Sequence, residues 1–209
     1  DDGSTDGTTE ILRRYAEAHK TVRYVTQPNA GAAAARNTAF QLARGPHVIF
    51  FDADDLCTAG SLAAMLDMAH QYPGDVICCG WTHFEDGRDH PQAKSVLSRE
   101  PLAGWEWVRR AYAEDYPTYP GTFMLPRSVV ERTGPWDVRL GFQDDMEFYS
   151  RLLSSTACIR FCESAEFRYR TNIVGSLSRI GGRKNSESHL LATELAVSHL
   201  LAADSSRKT

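Results

Sequence analysis

Three acidic stretches carry residues that could do chemistry: "DDGSTDGT" at 1–8, "FFDADD" at 50–55 and "QDDMEF" at 143–148. The first resembles a calcium loop, because Asp2, Ser4, Asp6 and Gly7 occupy its first, third, fifth and sixth places. Its twelfth place should hold a bidentate Glu, yet counting from Asp2 that place is Arg13, a cation that would repel the ion. The stretch therefore needs another use. In the second, Asp52, Asp54 and Asp55 follow a short, continuously apolar run, which puts them just past the C-terminal end of an expected strand. Open parallel sheets bind ligands in the crevice outside their strand C-termini. "DDGSTDGT", as a strand-to-helix turn, would face that same crevice.

Gathering carboxylates is costly. Two unit charges about 4 Å apart repel by roughly 4 kcal/mol at an effective dielectric of 20, more than the ~0–1 kcal/mol that an exposed salt bridge returns. Something cationic belongs among them. A few hard oxygen ligands suit Mg²⁺ or Mn²⁺, held by one or two carboxylates and completed by phosphates and water. A metal diphosphate is the guest these residue types favour. Each stretch alone has a plainer explanation, since Ser, Thr, Asp and Gly cap helices and form turns, and acidic residues suit a helix start. Two such clusters, each beside a β-like run, shift the balance toward a site.

The elements that must position these acids alternate. Ile11, Leu12, Tyr15 and Ala16 recur at helical spacing, and "TVRYVTQ" (21–27) follows as a β-rich run. An alanine-rich helix ends at Gly45, and "PHVIFFDADD" supplies the next strand. Helix Ser61 to Gln71, strand 75–84, a polar excursion over 86–101 and helix "WEWVRRAYAED" come after. "GTFMLPRSVVERTG" predicts a strand entering a short helix, and "QDDMEFYSRLLSS" a helix with acids at its start. Two β-rich runs, "ACIRFC" and "EFRYRT", precede a last helix from about Glu187 to Ala203. That last helix carries Leu and Ala around much of its circumference, which suits packing on its own sheet first, and a dimer contact or membrane surface after that. Strand, helix, strand is the rhythm of a parallel α/β sheet.

With 209 residues and 42% hydrophobic content, one globular domain is expected. A net charge of −4 and scattered Lys and Arg argue against a nucleic-acid partner. No apolar run approaches the ~18 residues of a membrane span. Five cysteines, two of them adjacent (Cys78, Cys79), lack paired zinc-ligand spacing and read as core residues in a reducing compartment.

In their order and separation, "DDGSTDGT", "N-x-G-x-x-x-A-R-N" (29–37), "FFDADD", "GTFMLPRSVVERTGPWD" and "QDDMEFYSRL" resemble the family 2 glycosyltransferases over the chain through about Ser178. The resemblance implies the nucleotide-sugar-binding GT-A fold, an α/β Rossmann-like, mostly parallel sheet flanked by helices. Residues 1–126 would bind the nucleotide-sugar and 127–180 the acceptor, with a C-terminal helix over 185–203. It also implies transfer, usually with inversion, of a sugar from a nucleotide-diphosphate donor to a saccharide, lipid-linked or other hydroxyl acceptor. Polysaccharide or glycoconjugate synthesis is the expected setting, in the cytoplasm or at the cytoplasmic membrane face. Carried over by position, Asp2 would hold the base, Asp52 and Asp55 would lie against ribose and diphosphate, and Asp54 would ligate Mn²⁺ or Mg²⁺. Arg36 is a nucleotide candidate that reads equally as a helix-surface cation. Asp145 would be the catalytic base, supported by Asp144. Arg170 or Arg179 could offset phosphate charge, and Tyr169 and Ser176 match the same segment.

The sequence departs from the family in three places. Asp144 stands where Glu is frequent, and no His lies close to Asn172. The family's opening strand, helix and strand have no counterpart before Asp1, which predicts either a longer parent chain or another element in that place. Two other functions share parts of the pattern: a sugar-phosphate nucleotidyltransferase, in whose chemistry "QDDMEFYSRL" has no evident role, and a catalytically silent nucleotide-binding module.

Overall fold

Strand β3 (Val76–Phe84) is the axis of the architecture. Its side chains alternate between two layers, as the two-residue period of a strand requires. Val76 and Cys78 enter one apolar cluster, Ile77 and Cys79 the other. Because both faces are covered, the run is apolar from Val76 to Trp81. The computed structural model describes residues 1–86, 94–172 and 182–205.

β5 (Ile159–Arg170) runs parallel to β3, and β4 (Phe123–Pro126) runs antiparallel along its other edge. Short antiparallel strands β1 (His47–Val48) and β2 (Leu56–Cys57) complete the order β1-β4-β3-β5-β2. The α/β class is as the sequence predicts, but the sheet is mixed, with β3–β5 its parallel pairing among the described residues. Strand direction depends on which way the connecting segments return, and no local residue pattern encodes that.

Helix α3 (Ser61–Gln71) covers one face with Met65 and Ala69. The other face is covered by α4 (Gly104–Ala113), α5 (Arg127–Thr133) and α6 (Asp144–Ser154), through Trp107, Val130, Phe148 and Leu152. Phe148, Tyr149, Leu152 and Leu153 of α6 are all 0% exposed. Each such side chain contributes roughly 1.5–3 kcal/mol by leaving water, so the first turn of α6 is held firmly in place. α1 (Thr8–Ala18) and α2 (Ala32–Leu42) precede the sheet. The final helix, α7 (Arg183–Ser205), packs on α6 and α4 instead of on the sheet, and leaves Leu190, Val197 and Leu201 exposed. No helix among the described residues is long and apolar enough to cross a membrane. All five cysteines are free, with Cys78, Cys79 and Cys162 buried.

Two sequence expectations change. The two β-rich runs near residue 160 form one strand, interrupted where Cys79 pairs with Cys162 but Gly80 pairs with Glu166. The slip takes Glu163, Ser164 and Ala165 out of the ladder as a bulge. Residues 21–27 form no strand; Val25 O accepts from the Asp1 ammonium (2.9 Å) and Gln27 N donates to the Asp1 carbonyl (3.0 Å).

Candidate active site

The opening turn docks onto the start of α2. Gly3 has φ +77°, and a Cβ there would stand 3.1 Å from Asn29 N and 3.2 Å from Gln27 O, so glycine is required on both counts. Asp2 Oδ1 accepts from Gln27 Nε2 (2.7 Å) and Ala30 N (3.0 Å), and Oδ2 accepts from Gly31 N (2.8 Å). A carboxylate at a helix N-terminus is favoured by the dipole. Slight desolvation opposes ionisation, but the bonds from Ala30, Gln27 and Gly31 outweigh it and hold Asp2 below the usual carboxylate range. Gln27 also accepts from Thr38 Oγ1 (2.7 Å), tying Asp2 to the middle of α2. Asp6 closes a turn by accepting from Thr8 N (2.9 Å). Asp6 thus shapes the turn, and Asp2 docks it onto the start of α2.

α2 then reaches the other two acidic stretches through one side chain. Arg36 Nη2 donates to Asp52 Oδ1 (2.8 Å) and Nη1 to Asp144 Oδ2 (2.7 Å). Its guanidinium lies 4.6 Å over the Trp136 ring, which stacks on Phe148 at 4.0 Å and 7°. Arg36 is therefore not a free surface cation. Burial alone would favour its neutral form, but Asp52 and Asp144 more than offset this and raise its pKa. The adjacent Asn37 pins the same tryptophan by its backbone: Nδ2 donates to Trp136 O (3.0 Å) and Oδ1 accepts from Trp136 N (2.8 Å). Sequence reasoning assigned no role to Asn37 or Trp136, although both lie inside the quoted motifs.

Asp144 and Asp145 open α6 just after Gln143, whose φ of 60° and ψ of 27° put a non-glycine residue in the left-handed region. Burial raises Asp144, with Arg36 pulling against it. Asp145 is half-buried, and its Oδ1 accepts from Met146 N (2.8 Å). Desolvation, then the neighbouring charge of Asp144, push it up to about 6. A carboxyl poised near neutrality can take a proton from a hydroxyl and release it again.

The "DADD" turn divides its acids among different tasks. Asp55 is only 7% exposed and accepts from Arg170 N (2.9 Å), so it fastens the end of β5 instead of offering an open carboxylate. Burial lifts it to about 7, with Asp54 and Asp52 adding to the shift. Arg170 is engaged as well: Nε donates to the Asp54 carbonyl, Nη1 pairs with Asp86, and the guanidinium lies 4.6 Å over Phe84. Ser176 and Arg179 lie outside the described residues. Asp54 is exposed, and its carboxylate, unlike its carbonyl, has no hydrogen-bond partner among the described residues. No group of three or more His, Cys, Asp or Glu among them forms a cation cage. With Asp52 held by Arg36 and Asp55 by Arg170, this donor set fits a Mg²⁺ or Mn²⁺ that takes Asp54 alone from the protein and its other oxygens from phosphates and water.

Residues 1–134 match the family described as Glycosyl transferase family 2. An uncharacterized glycosyltransferase, EpsJ of Bacillus subtilis (strain 168), is 27% identical over 195 residues, covering 90% of this chain and 56% of its own length. Another, YibD of Escherichia coli (strain K12), is 27% identical over 200 residues, covering 91% of this chain and 58% of its own. The chain thus spans little more than half of each relative. Among solved structures, S. aureus TarS in complex with UDP-GlcNAc superposes with a TM-score of 0.73 at 18% identity, over 93% of this chain and 55% of that one. TarS in complex with UDP gives 0.74 at 19% identity, over 98% and 55%. At such identity the likeness speaks for the fold alone.

Proposed function

The chain belongs to glycosyl transferase family 2, and from that premise we propose that it moves a sugar from a nucleotide-diphosphate donor to an acceptor hydroxyl with inversion, in polysaccharide or glycoconjugate synthesis. One observation carries the reading: a single guanidinium, Arg36, grips Asp52 after β1 and Asp144 at the start of α6. The acids of two distant motifs therefore lie within the span of one side chain, with Asp145 next in line. The TarS complexes with UDP-GlcNAc and UDP add support for a nucleotide-sugar as donor.

In this reading Asp2 and the start of α2 receive the base, and Asp52 lies toward the ribose and diphosphate. Arg36 acts through its neighbours, fixing Asp52 and Asp144 in register. Asp54 would hold the divalent cation, which when bound supplies positive charge to the departing diphosphate. Asp145 removes the acceptor hydroxyl proton as the oxygen attacks the anomeric carbon. The bond to the diphosphate breaks with its electron pair leaving on the phosphate oxygen. An acid raised to about 6 is largely ionised at neutral pH and still basic enough for this proton transfer.

Calorimetric titration with UDP, GDP, ADP and CDP, each with and without Mn²⁺, tests the donor half. Metal-strengthened binding of at least one of them, weakened in Asp54→Ala, is the expected result. Asp145→Asn should keep that binding and lose transfer by roughly 10²–10⁴-fold. Transfer at an undiminished rate in Asp145→Asn would end the assignment.

A further inference from the structure

The proposed chemistry leaves unused a group of aromatic side chains at the C-terminal ends of the two parallel strands. Trp81 pairs with Phe167 and His83 with Tyr169 across the β3–β5 ladder, so all four share one face of the sheet. Tyr119, just before Pro120, lies flat on Tyr169 with centroids 4.2 Å apart and planes 14° from parallel. It meets Trp81 edge-on at 5.1 Å and 90°, and its hydroxyl lies 3.3 Å from His83 Nε2.

These rings differ from those of the core. Phe148 and Tyr149 are fully buried, and the Tyr149 hydroxyl is spent on Pro120 O (3.0 Å). Trp81, His83, Tyr119 and Tyr169 are each only half-buried and keep part of their surface in solvent, although the Trp81 indole nitrogen is buried. The group also lies beside the acids: Tyr169 precedes Arg170, whose N donates to Asp55 (2.9 Å), and Tyr119 precedes Pro120, whose O accepts from Tyr149 (3.0 Å), one turn along α6 from Asp145. It thus lies near the start of α6, which carries the carboxyl proposed as catalytic base, at the strand ends where α/β sheets bind ligands.

A pyranose ring has one face of C–H groups and a rim of hydroxyls. Rigid aromatic faces with a few polar groups at their margin match that surface, and they lose little conformational freedom on binding. We infer that Tyr119 and Tyr169, with His83 at their edge, form the acceptor subsite, and that the acceptor is a saccharide docked by its C–H face on these rings. The inference rests on the glycosyl-transfer reading and narrows its acceptor to a sugar, as against a lipid or protein hydroxyl. A donor sugar has the same ring chemistry, so the experiment separates the two.

Saturation-transfer NMR on the whole chain, with methyl β-glucoside, β-galactoside and β-N-acetylglucosaminide as probes and cyclohexanol as control, reads the contact directly. The ring C–H protons of at least one glycoside should receive saturation in the wild type and in Tyr119→Phe, which keeps the ring. Tyr119→Ala and Tyr169→Leu should weaken glycoside binding tenfold or more while calorimetric affinity for the tightest nucleoside diphosphate and its sugar stays unchanged. The second of these variants preserves side-chain bulk on β5 and guards against a folding loss in the first. Unchanged glycoside binding in both variants would overturn the inference. So would a parallel loss of nucleotide-sugar affinity, which would assign the rings to the donor. Failure of the donor titration with glycoside binding intact would count against the transfer reading instead.

Discussion

Asp145 is the residue whose environment makes the clearest demand on behaviour. A base works only when ionised, and this carboxyl is raised to about 6. Turnover should therefore climb as pH rises through about 6 and fall away below it, a profile that initial rates between pH 4.5 and 8 would record. A rising limb near pH 4, the ordinary carboxylate value, would show that Asp145 is not the titrating group. Arg36 lowers the Asp145 pKa by its charge, so Arg36→Gln should move that limb to higher pH. The same change should cost about 1–3 kcal/mol in urea unfolding, less than the ~3–5 of a fully buried pair because solvent reaches Asp52, whose side chain is 35% exposed. The motif spacing made the acids legible as a group. It did not reveal that Arg36 is occupied by them, because its partner Asp144 lies 108 positions away and an ion pair of that separation leaves no local pattern.

Among the elements, helices were easier to read than strands. α3 spans Ser61–Gln71 as its sequence pattern suggested, because a helix satisfies its own backbone and its apolar positions suffice to announce it. A strand exists by virtue of its neighbour. Residues 21–27 have β-rich composition, yet their backbone bonds to Asp1 do not amount to a strand. β5 hid in the opposite way, since the bulge at Glu163 to Ala165 made one strand resemble two. Helix seating has its own signature in Gly104, the first residue of α4. A Cβ there would fall 1.8 Å from Leu153 O and 2.7 Å from Thr156 O, both backbone atoms at the end of α6. Gly104→Ala should lower stability by about 1–3 kcal/mol or more, as overpacking does. An unshifted thermal midpoint would mean that the two helices meet more loosely than this.

Across the whole molecule, burial is uneven. The centre formed by β3, β5 and α6 holds many of the fully enclosed side chains, while α1 buries none. Ile11 on α1 is 53% exposed and Leu152 on α6 is 0% exposed. Ile11→Ser should change the unfolding free energy by under ~0.5 kcal/mol, whereas Leu152→Ala should cost about 2–5 kcal/mol. Denaturant titration of the two variants compares them, and comparable losses would show that α1 is seated more deeply than its exposure indicates. The order of the sheet also bears on how the polypeptide emerges from the ribosome. β3 sits between β4 and β5, both of which are translated after it, and Val76 must wait for Ile159 before its ladder can close. Until Arg170 has left the exit tunnel the parallel ladder of β3 is incomplete, with α3 in place over one face only, and such partly covered apolar strands are where nascent chains are prone to aggregate.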